Sequence, residues 1–264
     1  MDKHDKKYDF NDLVEIMAKL RSDSGCPWDK EQTHESITTC LIEEAYETCD
    51  AIIDNDIEKM TEELGDVLLQ VVFHAQIGKE NGTFDLSDIT DGICRKLIFR
   101  HPHIFGDKKM DTAEQVLESW EKLKIKEKGY KSEADSMKNI PKTFPALMRA
   151  NKIQSKAERV GFDWPDVWGA FDKVYEEAHE LKRAIETEDT EKQKEEAGDL
   201  LFAVVNVCRF LDIDPEQSLD AASDKFIKRF SHVENSCNDK GQYMREMNLE
   251  QLDKYWNEAK NENR

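Results

Sequence analysis

The sequence has few residues that break secondary structure, with 11 glycines and 6 prolines among 264 residues. An all-β fold needs a turn signal about every 8–12 residues, and this supply is too small for one. Long apolar runs are also missing. The stretches 67–77 and 200–207 are interrupted by polar side chains and are shorter than the ~20 residues that span a membrane. With 36% charged residues, these features predict an all-α protein without a membrane span.

Basic residues are fewer than acidic ones. The chain has 38 Lys and Arg and 57 Asp and Glu, which give a formal net charge of −19. Such a chain repels nucleic acid and anionic membranes, so neither is expected as a partner. The six cysteines include no Cys-x-x-Cys pair, and the amino terminus is charged, without the apolar segment of a secretion signal. We therefore expect reduced thiols and a cytoplasmic location.

Two halves of the chain repeat one pattern. The sequence EEAYE at 43–47 returns as EEAHE at 176–180, and EELGD at 62–66 returns as EEAGD at 195–199. Both shifts are 133 residues. Flanking blocks match in the same order, and such ordered matches are the signature of a tandem duplication.

The duplication predicts two similar helical-bundle domains, 1–128 and 146–264, joined by a polar linker at 129–145. Apolar residues at helical spacing place the helices of the first copy. These predicted helices cover residues 10–21, 35–53, 57–79, 87–101 and 111–128. The second copy repeats the plan, with Asp214 capping a helix whose first residue is Pro215.

Acidic residues at positions three apart share one helix face. In the first copy these are Glu44 with Glu47 and, on the next helix, Glu63 with Asp66. A hairpin turn at 54–56 brings both pairs to the same level, and the second copy does the same through 187–190. The matching residues there are Glu177, Glu180, Glu196 and Asp199.

Four carboxylates at one level repel each other unless a cation is present. Hard oxygen ligands favour Mg²⁺, with Mn²⁺ as a substitute. The alternative is a solvated acidic helix face. Two features favour the metal site: the spacing recurs in both copies, and the neighbouring runs 67–72 and 200–205 are expected to be buried. Gly65 and Gly198 are expected to permit close helix approach.

Basic residues recur in both copies in a pattern that suits phosphate binding. Lys225 and Arg229 are four residues apart, as are Lys96 and Arg100. A lysine also follows each of Trp120 and Trp256 by four residues. Each tryptophan is a candidate for stacking on a base or for packing in the core.

The duplicated acidic motifs resemble those of the MazG family of nucleoside triphosphate pyrophosphohydrolases, in its two-domain bacterial form. The resemblance also rests on GCPWD at 25–29, RHPHIF at 100–105, PALMRA at 145–150 and GFDW at 161–164. It implies an all-α, Mg²⁺-dependent enzyme that cleaves a broad range of NTPs and dNTPs to NMP and pyrophosphate. A role in nucleotide-pool sanitation or regulation and a homodimeric assembly are implied as well.

The resemblance assigns roles to residues of the second copy. The implied metal ligands are Glu177, Glu180, Glu196 and Asp199. Glu176 and Glu195 support these ligands or activate water. The implied phosphate-binding residues are Lys173, Lys192, Lys225, Arg229 and Lys260, with Trp256 near the nucleoside.

The first copy keeps a second, weaker metal site at Glu44, Glu47, Glu63 and Asp66. It has Cys40 where the second copy has Lys173. Because a cation that binds phosphate is lost there, we expect the second copy to carry most of the turnover.

Two other functions compete with this prediction. A di-iron oxidase needs two Glu-x-x-His motifs on separate helices, and only Glu176–His179 qualifies. A catalytically weak scaffold that binds nucleotide or a partner protein is the other alternative. Base recognition is also open: Trp28, Trp164 and Trp168 are candidates, although core packing is favoured for each.

Overall fold

The computed structural model describes residues 7–130 and 132–262. Within these ranges the chain forms α-helices and one 3₁₀ turn, without a strand. The all-α prediction is confirmed. Backbone proximity divides the chain into two compact units, one ending at Lys124 and the other beginning at Ile125. The domain limits at 128 and 146 stay a prediction.

The first unit contains the helices predicted from apolar spacing, with ends that differ by a few residues. The helices are α1 Phe10–Leu20, α2 Pro27–Glu31, α3 Thr38–Ile53, α4 Ile57–Glu80, α5 Leu86–Arg100, α6 Pro102–Phe105 and α7 Ala113–Lys128, of which α7 continues past the boundary at Lys124. The short helices α2 and α6 were not predicted, and each begins at a proline. Proline suits the first helical position because the missing N–H would have no partner there.

The second unit repeats the long helical hairpin of the first. Its helices are α8 Glu133–Lys138, α9 Ala146–Arg159, α10 Val167–Glu186, α11 Thr190–Phe210, α12 Pro215–Asp239 and α13 Leu249–Glu262, with a 3₁₀ turn at Met244–Glu246. The duplication is confirmed in the pairs α3–α4 and α10–α11. The Asp214 side chain accepts from the backbone N–H of Gln217 at 3.0 Å, as predicted for a cap before Pro215.

Both hairpins turn in the same way. Asn55 follows α3 with φ of 54°, and Glu188 follows α10 with φ of 57°. The next residue caps the second helix in each unit: Asp56 accepts from the N–H of Lys59 at 3.0 Å, and Asp189 accepts from that of Lys192 at 3.1 Å. Because the two turns are equivalent, they align the helices of each hairpin in the same way, with the acidic residues of the paired helices facing each other.

The core of the first unit lies between α1, the segment before α3, and α4. Its buried side chains are Met17, Ile37, Val72, Phe73 and Ile77. Arg21 closes one end of this core, with its Nη2 2.7 Å from Glu80 Oε2. The Arg21 hydrogen bond holds the pKa of Glu80 below its usual range, and this contact offsets the burial of the Arg21 charge.

The stretch 129–145, predicted as a linker, contains a helix that packs on the second unit. In α8, Ser136 is fully buried, and Lys156 of α9 forms a hydrogen bond with it. Lys156 also lies 3.7 Å from Glu133. These contacts attach α8 to α9.

The apolar runs beside the acidic motifs are not fully buried, so that prediction was wrong. Val72 and Val205 are buried, but Leu68, Leu201 and Val204 are 40%, 57% and 43% exposed. A continuous apolar run on one helix must present side chains on more than one face. One face of each hairpin packs inside its unit, while the other leaves an apolar surface uncovered.

Gly78 and Gly92 offer a matched test of helix packing. A Cβ at Gly78 in α4 would lie 2.7 Å from the Phe84 carbonyl oxygen, whereas one at Gly92 in α5 meets no atom within 4 Å. We expect Gly78→Ala to lower the free energy of unfolding by about 1–3 kcal/mol through overpacking.

Gly92→Ala is expected to raise the free energy of unfolding by about 0.5–1 kcal/mol, because alanine restricts the unfolded chain more than glycine. Urea denaturation followed by circular dichroism measures both values. Equal effects of the two substitutions would contradict the packing described for Gly78.

Candidate active site

The hairpin of α10 and α11 gathers the acidic residues of the second unit. Glu177, Glu196 and Asp199 each offer an oxygen within 4.8 Å of the others, and so do Glu176, Glu177 and Glu180. Glu177 belongs to both groups and is 4% exposed, as is Glu196. The four predicted ligands of this unit, together with Glu176, therefore form two overlapping groups of three that share the buried Glu177 carboxylate.

The hairpin of α3 and α4 forms a similar group in the first unit. Oxygens of Glu44, Glu47 and Glu63 lie within 4.8 Å of one another. Asp66 is outside that group, but its charge contributes to the shift of the Glu44 pKa. The structure therefore brings together three of the four predicted ligands of the first unit. The fourth, Asp66, is close enough to interact electrostatically with Glu44.

Burial and mutual repulsion perturb the acids of the first unit. The pKa of Glu44 is raised by burial first and then by the charges of Asp66, Glu47 and Glu43. Burial also raises the pKa of Glu63, with a further contribution from Glu47 and partial compensation by Lys59. These carboxylates are short of positive charge, which a divalent cation supplies.

The second unit neutralises its acids with its own cations. Lys173 Nζ lies 2.5 Å from Glu177 and 2.9 Å from Glu176. Lys192 Nζ lies 3.0 Å from Glu196 and 3.5 Å from Glu195. Hydrogen bonds to these carboxylates raise the pKa of both lysines above the usual range, so each lysine stays charged beside its acids.

Both lysines occupy the same position relative to their acids, three and four residues before an acidic pair. The first unit has this pattern at Lys59 on α4, but α3 carries Cys40 at the equivalent place. A second cation is missing there as well, because Asp50 stands where the second unit has Arg183, which lies 2.7 Å from Glu180. The two units therefore share their carboxylates and differ in their countercharges.

A cavity of about 760 Å³ opens beside the acids of the second unit. Lys173, Glu177 and Asp199 belong to its wall. The rest of the wall consists of Met137, Ile153, Gln154, Ala157, Gly161, Phe162, Asp163, Trp164, Ala170, Phe202, Ala203 and Asn206. Most of these residues were not predicted, because they lie outside the acidic motifs, on α8, on α9 or elsewhere on α10 and α11. The GFDW motif was the one signal for the loop after α9.

The predicted basic cluster lies on α12 and α13. The Trp256 ring is 5.1 Å from that of Phe226, and the Arg229 guanidinium is 5.8 Å from the Trp256 centroid. Lys225 and Lys260 are exposed. The wall of the cavity contains neither these lysines nor Trp256. In the first unit Lys124 lies 4.1 Å from the Trp120 ring centroid. The roles of this cluster in binding phosphate and nucleoside stay predictions.

The favoured core packing of three tryptophans was wrong. Trp28, Trp164 and Trp168 are 60%, 47% and 70% exposed, and Trp164 lines the cavity. Close helix approach at Gly65 and Gly198 was also wrong, since a Cβ at either position meets no described atom within 4 Å. Both glycines lie on the exposed face of their hairpin.

The residues present fit a hard divalent cation. Each unit holds at least three carboxylates that converge within 4.8 Å, and the groups found among the described residues contain only glutamate and aspartate. Oxygen donors of this kind select Mg²⁺, Mn²⁺ or Ca²⁺ over softer metals. His179, on which the di-iron alternative depends, belongs to none of these groups.

Comparison with known proteins places the chain in one family. The MazG nucleotide pyrophosphohydrolase domain matches residues 32–105 and 170–234, which include both acidic hairpins. Over 251 residues the chain is 47% identical to the nucleoside triphosphate pyrophosphohydrolase/pyrophosphatase MazG of Thermotoga maritima, covering 95% of each protein.

A nucleoside triphosphate pyrophosphohydrolase of Escherichia coli is 43% identical over 253 residues, which cover 94% of this chain and 95% of that protein. The uncharacterized protein YabN of Bacillus subtilis is 46% identical over 254 residues, but these cover only 52% of YabN. The chain therefore belongs to the MazG nucleotide pyrophosphohydrolase family.

Proposed function

We propose that this protein is a Mg²⁺-dependent nucleoside triphosphate pyrophosphohydrolase that converts an NTP or dNTP and water to NMP and pyrophosphate. The family and the names of its relatives support the hydrolase activity. The observation that carries the proposal is the convergence of Glu177, Glu196 and Asp199 beside a cavity large enough for a nucleotide.

Each group of the second unit takes a distinct role in the proposed reaction. Glu177, Glu180, Glu196 and Asp199 would hold the metal, and Mg²⁺ bound there would supply positive charge that neutralises the triphosphate and polarises the attacking water. Water attacks the α-phosphorus, and the bond to the α,β-bridging oxygen breaks. Glu176 or Glu195, both exposed beside the metal ligands, accepts the proton from this water.

The cations of the second unit are proposed to bind phosphate. Lys173 and Lys192 contact the acids directly and exchange a carboxylate partner for a phosphate oxygen when substrate binds. Lys225, Arg229 and Lys260 are proposed to hold the outer phosphates, and Trp256 stays the predicted neighbour of the nucleoside. Broad specificity, a role in nucleotide-pool sanitation or regulation and a cytoplasmic location complete the proposal.

A homodimer is proposed because apolar side chains of the hairpin helices are uncovered. Leu201 and Val204 on α11 are 57% and 43% exposed, and exposed apolar patches of this kind mark association surfaces.

The described part of the chain contains no helix that meets the length and hydropathy needed to cross a membrane.

Replacing Glu177 tests the metal site, because this carboxylate belongs to both acidic groups. We expect Glu177→Gln to weaken Mn²⁺ and Mg²⁺ binding by at least about tenfold, since even the neighbours of metal ligands are worth ~10–100-fold. Calorimetry measures the affinity.

A second experiment tests the reaction. Wild-type protein is stripped of metal with EDTA, resupplied with Mg²⁺ and assayed with all NTPs and dNTPs, with pyrophosphate measured separately from orthophosphate.

Wild type should release pyrophosphate only when Mg²⁺ or Mn²⁺ is returned. Pyrophosphate release by wild type in the presence of EDTA, or an unchanged Mn²⁺ affinity of Glu177→Gln, would contradict the metal site. Absence of pyrophosphate release from every nucleotide would favour the scaffold alternative.

The missing cations of the first unit predict unequal contributions of the two sites. We expect Glu180→Gln to lower kcat by about 100-fold, and the equivalent Glu47→Gln to have a small effect, because Cys40 and Asp50 replace two cations there. In the Glu180→Gln background, Cys40→Lys is expected to raise the residual activity. Equal losses in the two single variants would remove the asymmetry.

The proposed dimer is tested by charging its surface. Leu201→Glu places a carboxylate on the uncovered face of α11 and is expected to shift the protein from dimer to monomer in sedimentation equilibrium. Leu249→Glu, at a position 75% exposed at the start of α13, is the matched control and should leave the mass unchanged. A monomeric wild type would refute the assembly.

A further inference from the structure

Three basic side chains of the second unit each bond to one of its predicted metal ligands. The pairs are Lys173 with Glu177, Lys192 with Glu196 and Arg183 with Glu180. In each pair the N–O distance is 3.0 Å or less. A divalent ion that binds these oxygens therefore competes with cations that the chain itself supplies.

The acidic cluster of the first unit, formed by Glu44, Glu47 and Glu63, has no such partners. Its three carboxylates form no ion pair or hydrogen bond with other described residues. Glu63 is 6% exposed, and one of its oxygens lies within 4.8 Å of oxygens of the other two acids. Since a buried charge is costly without a partner, this carboxylate needs a cation from outside the chain.

Lys59 occupies the place of Lys192 but does not contact its acid in the same way. Burial raises the pKa of Glu63, and Lys59 opposes this shift through its charge alone. Lys192 forms a hydrogen bond with Glu196, and this bond is the main reason that the pKa of the lysine is raised. The lysine therefore neutralises its acid by direct contact in the second unit but only at a distance in the first.

Two other positions change the charge in the same direction. Cys40 is a neutral thiol where the second unit has Lys173, and Asp50 is an acid where the second unit has Arg183. The first unit thus lacks two positive charges beside its acidic cluster and has one more negative charge. Electrostatic attraction for a free cation is stronger there.

We propose that the acidic cluster of the first unit binds a divalent cation in the absence of nucleotide, whereas the second unit binds its cation weakly until a triphosphate is present. The three basic side chains of the second unit release their carboxylates when phosphate oxygens replace them. The first unit has no such competition, so its ion is bound independently of substrate. This inference rests on the proposed function, because it couples the ion of the second unit to the triphosphate proposed to bind there.

The proposed order of affinities for the free ion is the reverse of the order expected for turnover. A lysine beside the acids strengthens binding of a triphosphate, because it neutralises phosphate charge. The same lysine weakens binding of a free ion, because it repels the ion and occupies a carboxylate. An ion held without substrate stabilises the folded first unit by mass action, which suits a structural or regulatory role for the α3–α4 hairpin.

Titration of Mn²⁺ alone into the full-length protein, stripped of metal and without nucleotide, tests the two affinities. Electron paramagnetic resonance of free Mn²⁺ should show one ion per chain bound about tenfold or more tightly than a second. Glu63→Gln should abolish this tight phase, and Glu196→Gln should lower only the weak phase. Because Glu63 is buried, Glu47→Gln at an exposed position is the second variant and should also weaken the tight phase.

Arg183→Gln tests the competition in the second unit. Loss of its pair with Glu180 should tighten the weak phase by about 2- to 5-fold, which is the strength of an exposed ion pair. Lys182→Gln is the matched control. It removes the same charge from the same helix, but Lys182 lies 3.9 Å from Glu186 instead of pairing with a predicted metal ligand.

Cys40→Lys tests the missing competition in the first unit. A lysine at this position should weaken the tight phase by about 2- to 5-fold. Cys49→Lys is the matched control, because Cys49 is an exposed cysteine on the same helix and does not stand three and four residues before an acidic pair.

The inference is overturned if no ion binds without nucleotide, if the two phases have equal affinity, or if the tight phase is lost in Glu196→Gln. Equal effects of Arg183→Gln and Lys182→Gln, or of Cys40→Lys and Cys49→Lys, would also overturn it. No step of this test needs turnover, so the proposed reaction is judged separately. Ion binding as described without pyrophosphate release overturns the reaction and keeps the inference, whereas pyrophosphate release with two equal phases does the opposite.

Discussion

Buried carboxylates that need positive charge are the constraint on which the structure depends. Glu177 and Glu196 lie almost out of contact with water and face each other across one hairpin. Burial of such charges is costly unless cations pair with them. Lysines one turn earlier on each helix provide part of that charge. The remaining acidic oxygens are the groups that would bind the proposed divalent ion.

Both units of the duplication bury acidic residues in this way, but the first unit has fewer cations to neutralise them. The hairpin turns, their caps and the acidic residues are equivalent in the two units. The first unit lost two of the countercharges, and burial raises the pKa of Glu44 and Glu63 there. The same backbone therefore supports two sites of different electrostatic character.

The second unit also gains a cavity from parts of the chain that do not belong to the acidic repeat. Met137 of α8 and Gln154 of α9 contribute to its wall, as does the loop at Trp164. Arg209 joins that loop to α11, so the cavity and the acidic hairpin are held by one helix. Residues outside the hairpin therefore share the cavity wall with residues of the acidic hairpin.

The sequence by itself determined the helices, the duplication and the facing of the acidic pairs, because these follow from periodicity and from equal spacing about a turn. It could not determine which apolar side chains stay uncovered, as at Leu201, or that Trp164 rests on Gly169. Those facts depend on contacts between residues that are distant in sequence or on different faces of one helix. The pairing of Lys173 with Glu177 was within reach of helical spacing, whereas the unpaired oxygen of Gln154 was decided only when α9 packed on α11.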